Sequence, residues 1–383
     1  MHSLSTILPR GRRKQCVLLL GLFVLYYLGV FAMLFQTSII NFNYPLHEPV
    51  DAYVKYWLDN KYPIREPINI YNYSFIHSPS GKCAVDADSK LRLVYLVKSA
   101  APHFHRREAI RKSWGFEKRF SDVEVRTIFI LGVPDDSTTQ QKINEESSKT
   151  GDIVQADFRD NYFNNTVKTM TAISWALKYC SLSKFYFFSD DDMYVSTKNA
   201  IRFTRNPLNY PRYLEEEIAS IIAKKEKMRG PLTAANDSRS LNRSLKQIVD
   251  IDLPDDAELY AGYVFASSRP HRHQSSKWYL PLAEYPYDFF PPYVTAGSYI
   301  LSNVVLQKFY YASFYVKNFR FDDIYLGILA KKMNIVPLHS EEFFFYKKPY
   351  DVFGYRYVVA SHGYSDPAEL LTVWEQQKSA GNA

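Results

Sequence analysis

Apolar residues run uninterrupted by charge from Val17 to Phe35. They give way to an Asn-, Pro- and Tyr-rich stretch without sustained period to about residue 88, then recur in short alternating blocks to the C-terminus. The first run is long enough to cross a bilayer. Arg10, Arg12, Arg13 and Lys14 precede it, and the next cation is Lys55. The positive-inside rule therefore predicts a cytosolic tail over 1–15, a transmembrane signal anchor over 16–36 and a lumen-facing remainder, a single-pass type II topology. The run ends Met33-Leu34-Phe35-Gln36, without the small-residue pattern of a cleaved signal peptide. Residues 37–88 read as a luminal stem, and 89–383 as the folded luminal domain.

In that region strand-like and helix-like blocks alternate. Leu91–Val97, Val125–Leu131 and Ile153–Phe158 are short apolar runs that predict strands. Arg106–Trp114 and Gln140–Lys149 fit helices. Thr166–Tyr179 carries Val167, Met170, Ile173, Ala176 and Leu177 at a 3.6-residue period, with Thr166 as its expected N-cap. The alternation predicts an α/β fold with a mostly parallel sheet and helices on both faces. In such sheets ligands bind beyond the C-terminal ends of the strands. Residues 207–256 break the alternation. A charged helix with a narrow Ile stripe (Leu214–Met228) and a Ser/Asn-rich stretch mark them as a surface insert.

The strand Phe185-Tyr186-Phe187-Phe188 ends in Ser189-Asp190-Asp191-Asp192. Three carboxylates cannot follow an aromatic strand into a core without large desolvation cost. They form either an acidic turn that stops the strand or a site for a hard cation such as Mg²⁺ or Mn²⁺. A metal there could hold a diphosphate, which points to nucleotide-sugar chemistry.

Composition changes this picture little. The net charge of +7 includes the basic cluster of the tail, and it gives no argument for nucleic acid. The 31 Tyr and 26 Phe residues suit either core packing or sugar stacking. Cys83 and Cys180 are the luminal pair, either bridged or both free and buried. Sequons stand at Asn72, Asn164, Asn236 and Asn242, with Asn164 close to the candidate site residues.

Four further segments carry candidate chemistry. His105–Lys112 packs five cationic or near-cationic side chains into eight positions. Arg107 and Arg111 share a helix face, suited to a diphosphate or simply to water. Lys168 lies in the first turn of its helix, where a cation is electrostatically unfavourable, a feature of functional sites and of some surface lysines. Tyr285–Gly297 is a Pro-stiffened aromatic loop, readable as a platform for an acceptor sugar or as a structural corner, with Tyr293 and Gly297 at its end. Asp322-Asp323 precedes an apolar helix. One carboxylate can cap it, and the second is then free to act as a general base. His362 follows a short apolar strand and is a candidate to join the acidic triplet around Mn²⁺, with His339 as the competitor.

Taken in order, Arg106–Gly115, Asp190-Asp191-Asp192, Pro292–Gly297 and Asp322–Gly327 resemble glycosyltransferase family 31, the β1,3-glycosyltransferases of the Golgi. Leu93–Ala100, Gln155–Phe158, Ser276–Tyr279 and Phe319–Asp323 are similar to its brainiac-type subgroup. The resemblance implies a GT-A (Rossmann-like) fold and a Golgi membrane enzyme. It also implies inverting β1,3 transfer of N-acetylglucosamine from UDP-GlcNAc to a glycan or glycolipid acceptor, mannosyl-glucosyl-ceramide for the subgroup. The same motifs occur in β1,3-galactosyltransferases, which use UDP-galactose, and a non-catalytic luminal sugar-binding protein is a further alternative. The expected site has Asp192 and His362 on Mn²⁺ (or Mg²⁺) and Asp190 and Asp191 on the ribose and donor sugar. Arg107, Arg111 and Lys168 are further donor contacts, and Asp323 is the catalytic base. Trp278, Tyr293, Gly297 and Asp322 would line the acceptor side. Asp322 stands where the family usually has Glu, and the 207–256 insert is long for the subgroup.

Overall fold

A computed structural model describes residues 10–44, 49–62, 65–84, 91–121, 123–216 and 252–383. Its centre is an eight-stranded sheet in the order β1-β4-β3-β2-β5-β8-β7-β9. The strands are β1 (Phe75–His77), β2 (Leu91–Lys98), β3 (Glu124–Val133), β4 (Ile153–Arg159), β5 (Phe185–Asp190), β7 (Tyr260–Phe265), β8 (Tyr293–Ser302) and β9 (Leu338–His339). The block β4-β3-β2-β5 is parallel. β1 and β8 flank it antiparallel, so the sheet is mixed. A second, three-stranded sheet joins β6 (Met193–Val195), β10 (Phe343–Phe344) and β11 (Ala360–His362).

The central strands are apolar on both faces because both faces are covered. One layer contains α6 (Asn165–Tyr179), α8 (Asn303–Ser313) and α9 (Asp322–Lys332), packed around Val94, Leu96, Tyr186 and Phe188. The other contains α4 (Phe104–Lys112), α5 (Ser137–Thr150), α7 (Thr197–Arg205) and α10 (Pro367–Ser379), around Tyr95, Val97, Phe185 and Phe187. Successive residues of β2 and β5 thus feed opposite cores, as strand geometry requires.

The stretch read as a stem is partly folded onto this body. α3 (Val50–Leu58) buries Val50 and Val54 completely, Trp57 stacks on Tyr311 at 5.6 Å, and its Nε1 donates to Tyr315 Oη at 3.0 Å. Its aromatic rings, rather than a long periodic pattern, supply the docking surface. Cys83 and Cys180 are bridged, tying this segment to the C-terminal end of α6.

Among the described residues no helix is long and apolar enough to cross a membrane. α1 (Arg10–Tyr27) includes the basic cluster, and the helical path breaks at Gly29 before α2 (Val30–Leu34). Gly29 has φ +77°, and a Cβ there would lie 2.2 Å from the Arg272 carbonyl oxygen, so only glycine fits. The apolar side chains of α1 are nonetheless outward, with Val17 70% and Phe23 61% exposed. At the insert, Tyr210 is buried and donates to the Tyr357 carbonyl at 2.7 Å, while Asp252 pairs with Arg92 and Lys184. Most of the Leu214–Met228 helix and the Asn236 and Asn242 sequons lie outside the described residues.

Candidate functional site

The chain order β2-β3-β4 runs outward in one direction, and β5 then returns to the other side of β2. That reversal is a topological switch point, where a crevice opens beyond the strand ends. In register, Lys98 ends β2 opposite Asp190 at the end of β5. Lys98 is buried, and its Nζ lies 3.1 Å from Asp190 Oδ1 and 2.6 Å from Asp322 Oδ2. Burial alone would lower the lysine's pKa, but the two carboxylates raise it, so it stays charged. Burial, with Asp192 and Asp322 nearby, pushes Asp190 up to about 6 against the pull of Lys98.

The triplet divides its three carboxylates. Asp191 turns inward and is 5% exposed. It accepts from Ser99 Oγ (2.7 Å) and Arg106 Nη1 (2.9 Å) and pairs with His103 Nδ1 (2.8 Å). Burial would raise its pKa, yet these partners hold it below the usual range. The oxygens of Asp191, an expected donor contact, are thus engaged by α4 and the turn before it. Asp192 is the opposite case. Its Oδ1 is buried without a hydrogen-bond partner among the described residues, and its Oδ2 lies 3.4 Å from His362 Nε2. β11 pairs with β6 so that His362 faces Met193, which places the imidazole beside the triplet. The hydrogen bond to Asp192 raises the pKa of His362. The competitor His339 instead lies at β9, where its Nδ1 accepts from Val264 N at 3.1 Å. Gly297 also falls here rather than among the acceptor aromatics: a Cβ would sit 3.4 Å from Met193 Sδ and 3.9 Å from His362 Cδ2.

An orphaned carboxylate oxygen beside an imidazole nitrogen suits Mn²⁺, which accepts both donor types. Among the described residues no group of three or more His, Cys, Asp or Glu could hold a metal. A cation held by Asp192 and His362 would keep coordination positions open for substrate oxygens. That is the usual arrangement where a cation binds substrate phosphates.

Next to Asp190 opens a cleft of about 450 Å³. Its walls include Tyr162, Phe265, His271, Trp278, Phe290 and Tyr293, and its floor carries Asp322 and Asp323. The acidic pair begins α9, but neither residue is the cap: Phe321 holds that position. Asp322 is buried and receives Lys98 Nζ and, at 2.8 Å, Thr169 Oγ1. Burial opposes its ionisation, but Lys98 and Thr169 keep its pKa low. It therefore supports the floor rather than presenting a free group to an acceptor. Asp323 is half-buried, and its Oδ1 accepts from Ile324 N at 2.8 Å. Burial, followed by the charge of Asp322, pushes Asp323 up to about 7. A carboxylate so tuned is suited to proton transfer near neutral pH.

The three remaining cationic candidates are committed elsewhere. Arg107 is fully buried and donates to Glu146 Oε2 at 2.7 Å and to the Ala100 carbonyl at 2.9 Å. Arg111 is bidentate to Asp152 at 2.7 and 2.9 Å and also reaches Glu146. Lys168 is buried, donating to Asp160 Oδ1 at 2.6 Å and the Ser99 carbonyl at 2.8 Å. Acidic partners distant in sequence satisfy each cation, so all three brace the crevice from behind. Thr166 is not the N-cap of α6, which Asn164 precedes; its hydroxyl donates to the Phe319 carbonyl. Asn164 itself donates to the Arg159 carbonyl at 2.8 Å, so its sequon is engaged in the fold.

Lys98, His103, Tyr162, Phe265 and His271 were not singled out from sequence. Lys98 had a usable signal, as the lone cation ending an apolar strand next to the acidic one. The others reach the site only through long-range packing.

Comparison with known proteins places the chain in a family. The Galactosyltransferase family model matches residues 105–239 and 238–341. The Drosophila melanogaster protein "Beta-1,3-galactosyltransferase brn" is 38% identical over 371 residues, covering 96% of this chain and 97% of that one. "Beta-1,3-galactosyltransferase 1" of Mus musculus and of Homo sapiens are each 28% identical over 313 residues, covering 82% of this chain and 81% of theirs. Among solved structures, the WbbM bifunctional glycosyltransferase aligns with TM-score 0.36 and 11% identity over 78% of this chain and 52% of that one. The chain belongs to the galactosyltransferase family, of the glycosyltransferase family 31 type, with a brainiac-like sequence. It is a hexosyltransferase.

Proposed function

We propose that the protein is a metal-dependent, inverting β1,3-glycosyltransferase of GT-A architecture that uses a UDP-sugar donor. The observation that carries this is the pairing of two unlike acidic groups in one crevice: Asp192 with an orphaned oxygen beside His362, and Asp323 raised to about 7 on the floor of an aromatic cleft. Asp192 and His362 would hold Mn²⁺ (or Mg²⁺), which when bound offsets the negative charge developing on UDP. Asp190, at the mouth between the two groups, faces the donor. Trp278, Tyr293 and Phe290 offer flat faces to the acceptor sugar. Asp323 takes the proton from the acceptor's 3-hydroxyl, and that oxygen bonds to the anomeric carbon as the bond from carbon to UDP breaks. With a single base on the acceptor side, an α-linked donor gives a β product.

The brainiac-type motifs favour N-acetylglucosamine transfer to mannosyl-glucosyl-ceramide. A second reading, transfer of galactose, is favoured by the names of the relatives, which are β1,3-galactosyltransferases. A Golgi type II anchor is supported by the exposed apolar face of α1 behind its basic cluster. The test is a transfer assay on the full chain in detergent with Mn²⁺, a mannosyl-glucosyl glycolipid, and UDP-GlcNAc or UDP-galactose in parallel. Incorporation that EDTA abolishes is expected, and the labelled sugar decides between the donors. Undiminished transfer in EDTA would remove the metal from the reading. UDP binding without transfer from either donor would overturn the proposed acceptor.

A further inference from the structure

We infer that residues Thr37–Asn43, which follow the apolar N-terminal run, are a working part of the acceptor wall, and that Asp288 is the positioning residue that latches them to it. This rests on reading the aromatic cleft as the acceptor site. Thr37 forms a parallel bridge with Tyr287: its N donates to the Pro286 carbonyl at 2.8 Å, and Asp288 N donates to the Thr37 carbonyl at 2.9 Å. Asp288 Oδ1 then accepts from Ile39 N at 2.8 Å. Tyr287 Oη accepts from Asn43 N at 3.1 Å and donates to Asn43 Oδ1, while Phe42 packs on the Tyr287 ring at 5.1 Å.

The same loop is held from the other side. Arg272 is 2% exposed and spends its guanidinium on main-chain oxygens, those of Leu280 (2.6 Å), Tyr285 (2.8 Å) and Tyr287 (2.9 Å). Its neighbour His271 lies against Trp278 with ring centroids 5.5 Å apart, and both line the cleft. Two residues beyond Asp288, Phe290 lines the cleft as well. A displacement of Pro286–Asp288 is therefore passed to Trp278 through Arg272 and to Phe290 along the chain. Between Phe265 and Tyr293 the chain has no regular strand or helix. Its position depends on these side-chain and bridge contacts rather than on a sheet ladder. The donor side is built differently: Lys98, Asp190, Asp192 and His362 stand on or directly after paired strands. Loosening the latch should therefore weaken acceptor binding and leave donor binding intact, since a small misplacement of a binding wall is enough to lose productive geometry.

The experiment uses the full chain in detergent micelles, the mannosyl-glucosyl glycolipid, and the donor it turns over. Asp288→Ala should raise the acceptor KM about ten-fold, as expected for losing a charge-assisted hydrogen bond, with UDP affinity and turnover at saturation held. Asp288→Asn keeps an accepting oxygen without its charge and should recover most of the lost acceptor affinity, its KM lying between those of Asp288→Ala and the wild type. Should Asp288→Ala fail to fold, Tyr287→Phe carries the same expectation, because it keeps the ring and removes only the Asn43 bonds. An unchanged acceptor KM, or UDP affinity falling in step with it, would overturn the latch. Trp278→Ala separates the two readings. If it leaves the acceptor KM unchanged, the cleft is not the acceptor site; if it alone raises KM, only the latch is wrong.

Discussion

The two acidic clusters of the crevice, Asp190–Asp192 after β5 and Asp322-Asp323 at the start of α9, are alike in composition and unlike in what they offer. Each contains one carboxylate that the protein consumes. Asp191 is taken by Ser99, His103 and Arg106, and Asp322 by Lys98 and Thr169. Each also contains one left with capacity. Asp192 keeps an unpartnered oxygen next to an imidazole, whereas Asp323 has little but a backbone amide and is pushed toward neutrality. The first environment suits a cation and the second a proton. Chemically identical side chains thus acquire different properties from burial and partners alone.

The comparison is most easily broken at Asp323. Asp323→Asn keeps the size and loses the base, so turnover should fall roughly 10²- to 10⁴-fold with UDP affinity retained. Near-normal turnover in the transfer assay would end the base assignment. At the other cluster, His362→Ala should weaken Mn²⁺-dependent UDP binding by at least about 10-fold. Titration calorimetry with and without EDTA checks this, and metal-dependent binding that survives the change counts against the pair as ligands.

The pH profile sharpens the contrast. A base must be deprotonated to act, so kcat/KM should rise with pH through an apparent pKa near 7 set by Asp323. Asp322 raises that pKa and Lys98 lowers it. Asp322→Asn should therefore move the acid limb to lower pH, and Lys98→Met to higher pH. Shifts of the same sign in both variants would contradict the coupling. The smallest effect on chemistry is expected at Asp191. Asp191→Asn should cost about 1–3 kcal/mol of stability, because buried donors lose a charged acceptor. A thermal melt should register it while metal-dependent UDP binding persists.

Much of the frame was legible in the chain. The strands at β2, β3, β4 and β5 were readable because their apolar runs are buried on both faces, and the helix at α6 because one stripe of it is. The placing of ligands beyond the strand ends followed from that alternation. Local electrostatics was not legible. Arg107, Arg111 and Lys168 read as donor contacts or surface cations, and their partners Glu146, Asp152 and Asp160 become neighbours only through packing between elements. The packing of residues 50–58 on the folded body was hidden for a related reason. Trp57 and Tyr53 have no periodic setting, yet each finds a ring on the folded body. Thr166 looks like a helix cap, but its hydroxyl is drawn into a long-range bond to the Phe319 carbonyl, while the Asn164 amide is taken locally by the Arg159 carbonyl.

By itself, the sequence determined where apolar strands must end and that carboxylates and a histidine stand at or near those ends, since periodicity and desolvation act over a few residues. Only the tertiary structure decided which of those carboxylates stayed available. The Lys98–Asp322 bond joins residues 224 apart, and Asp192 meets His362 only because β11 pairs with β6. Charge is readable along a chain, but its neutralisation is a property of neighbours in space.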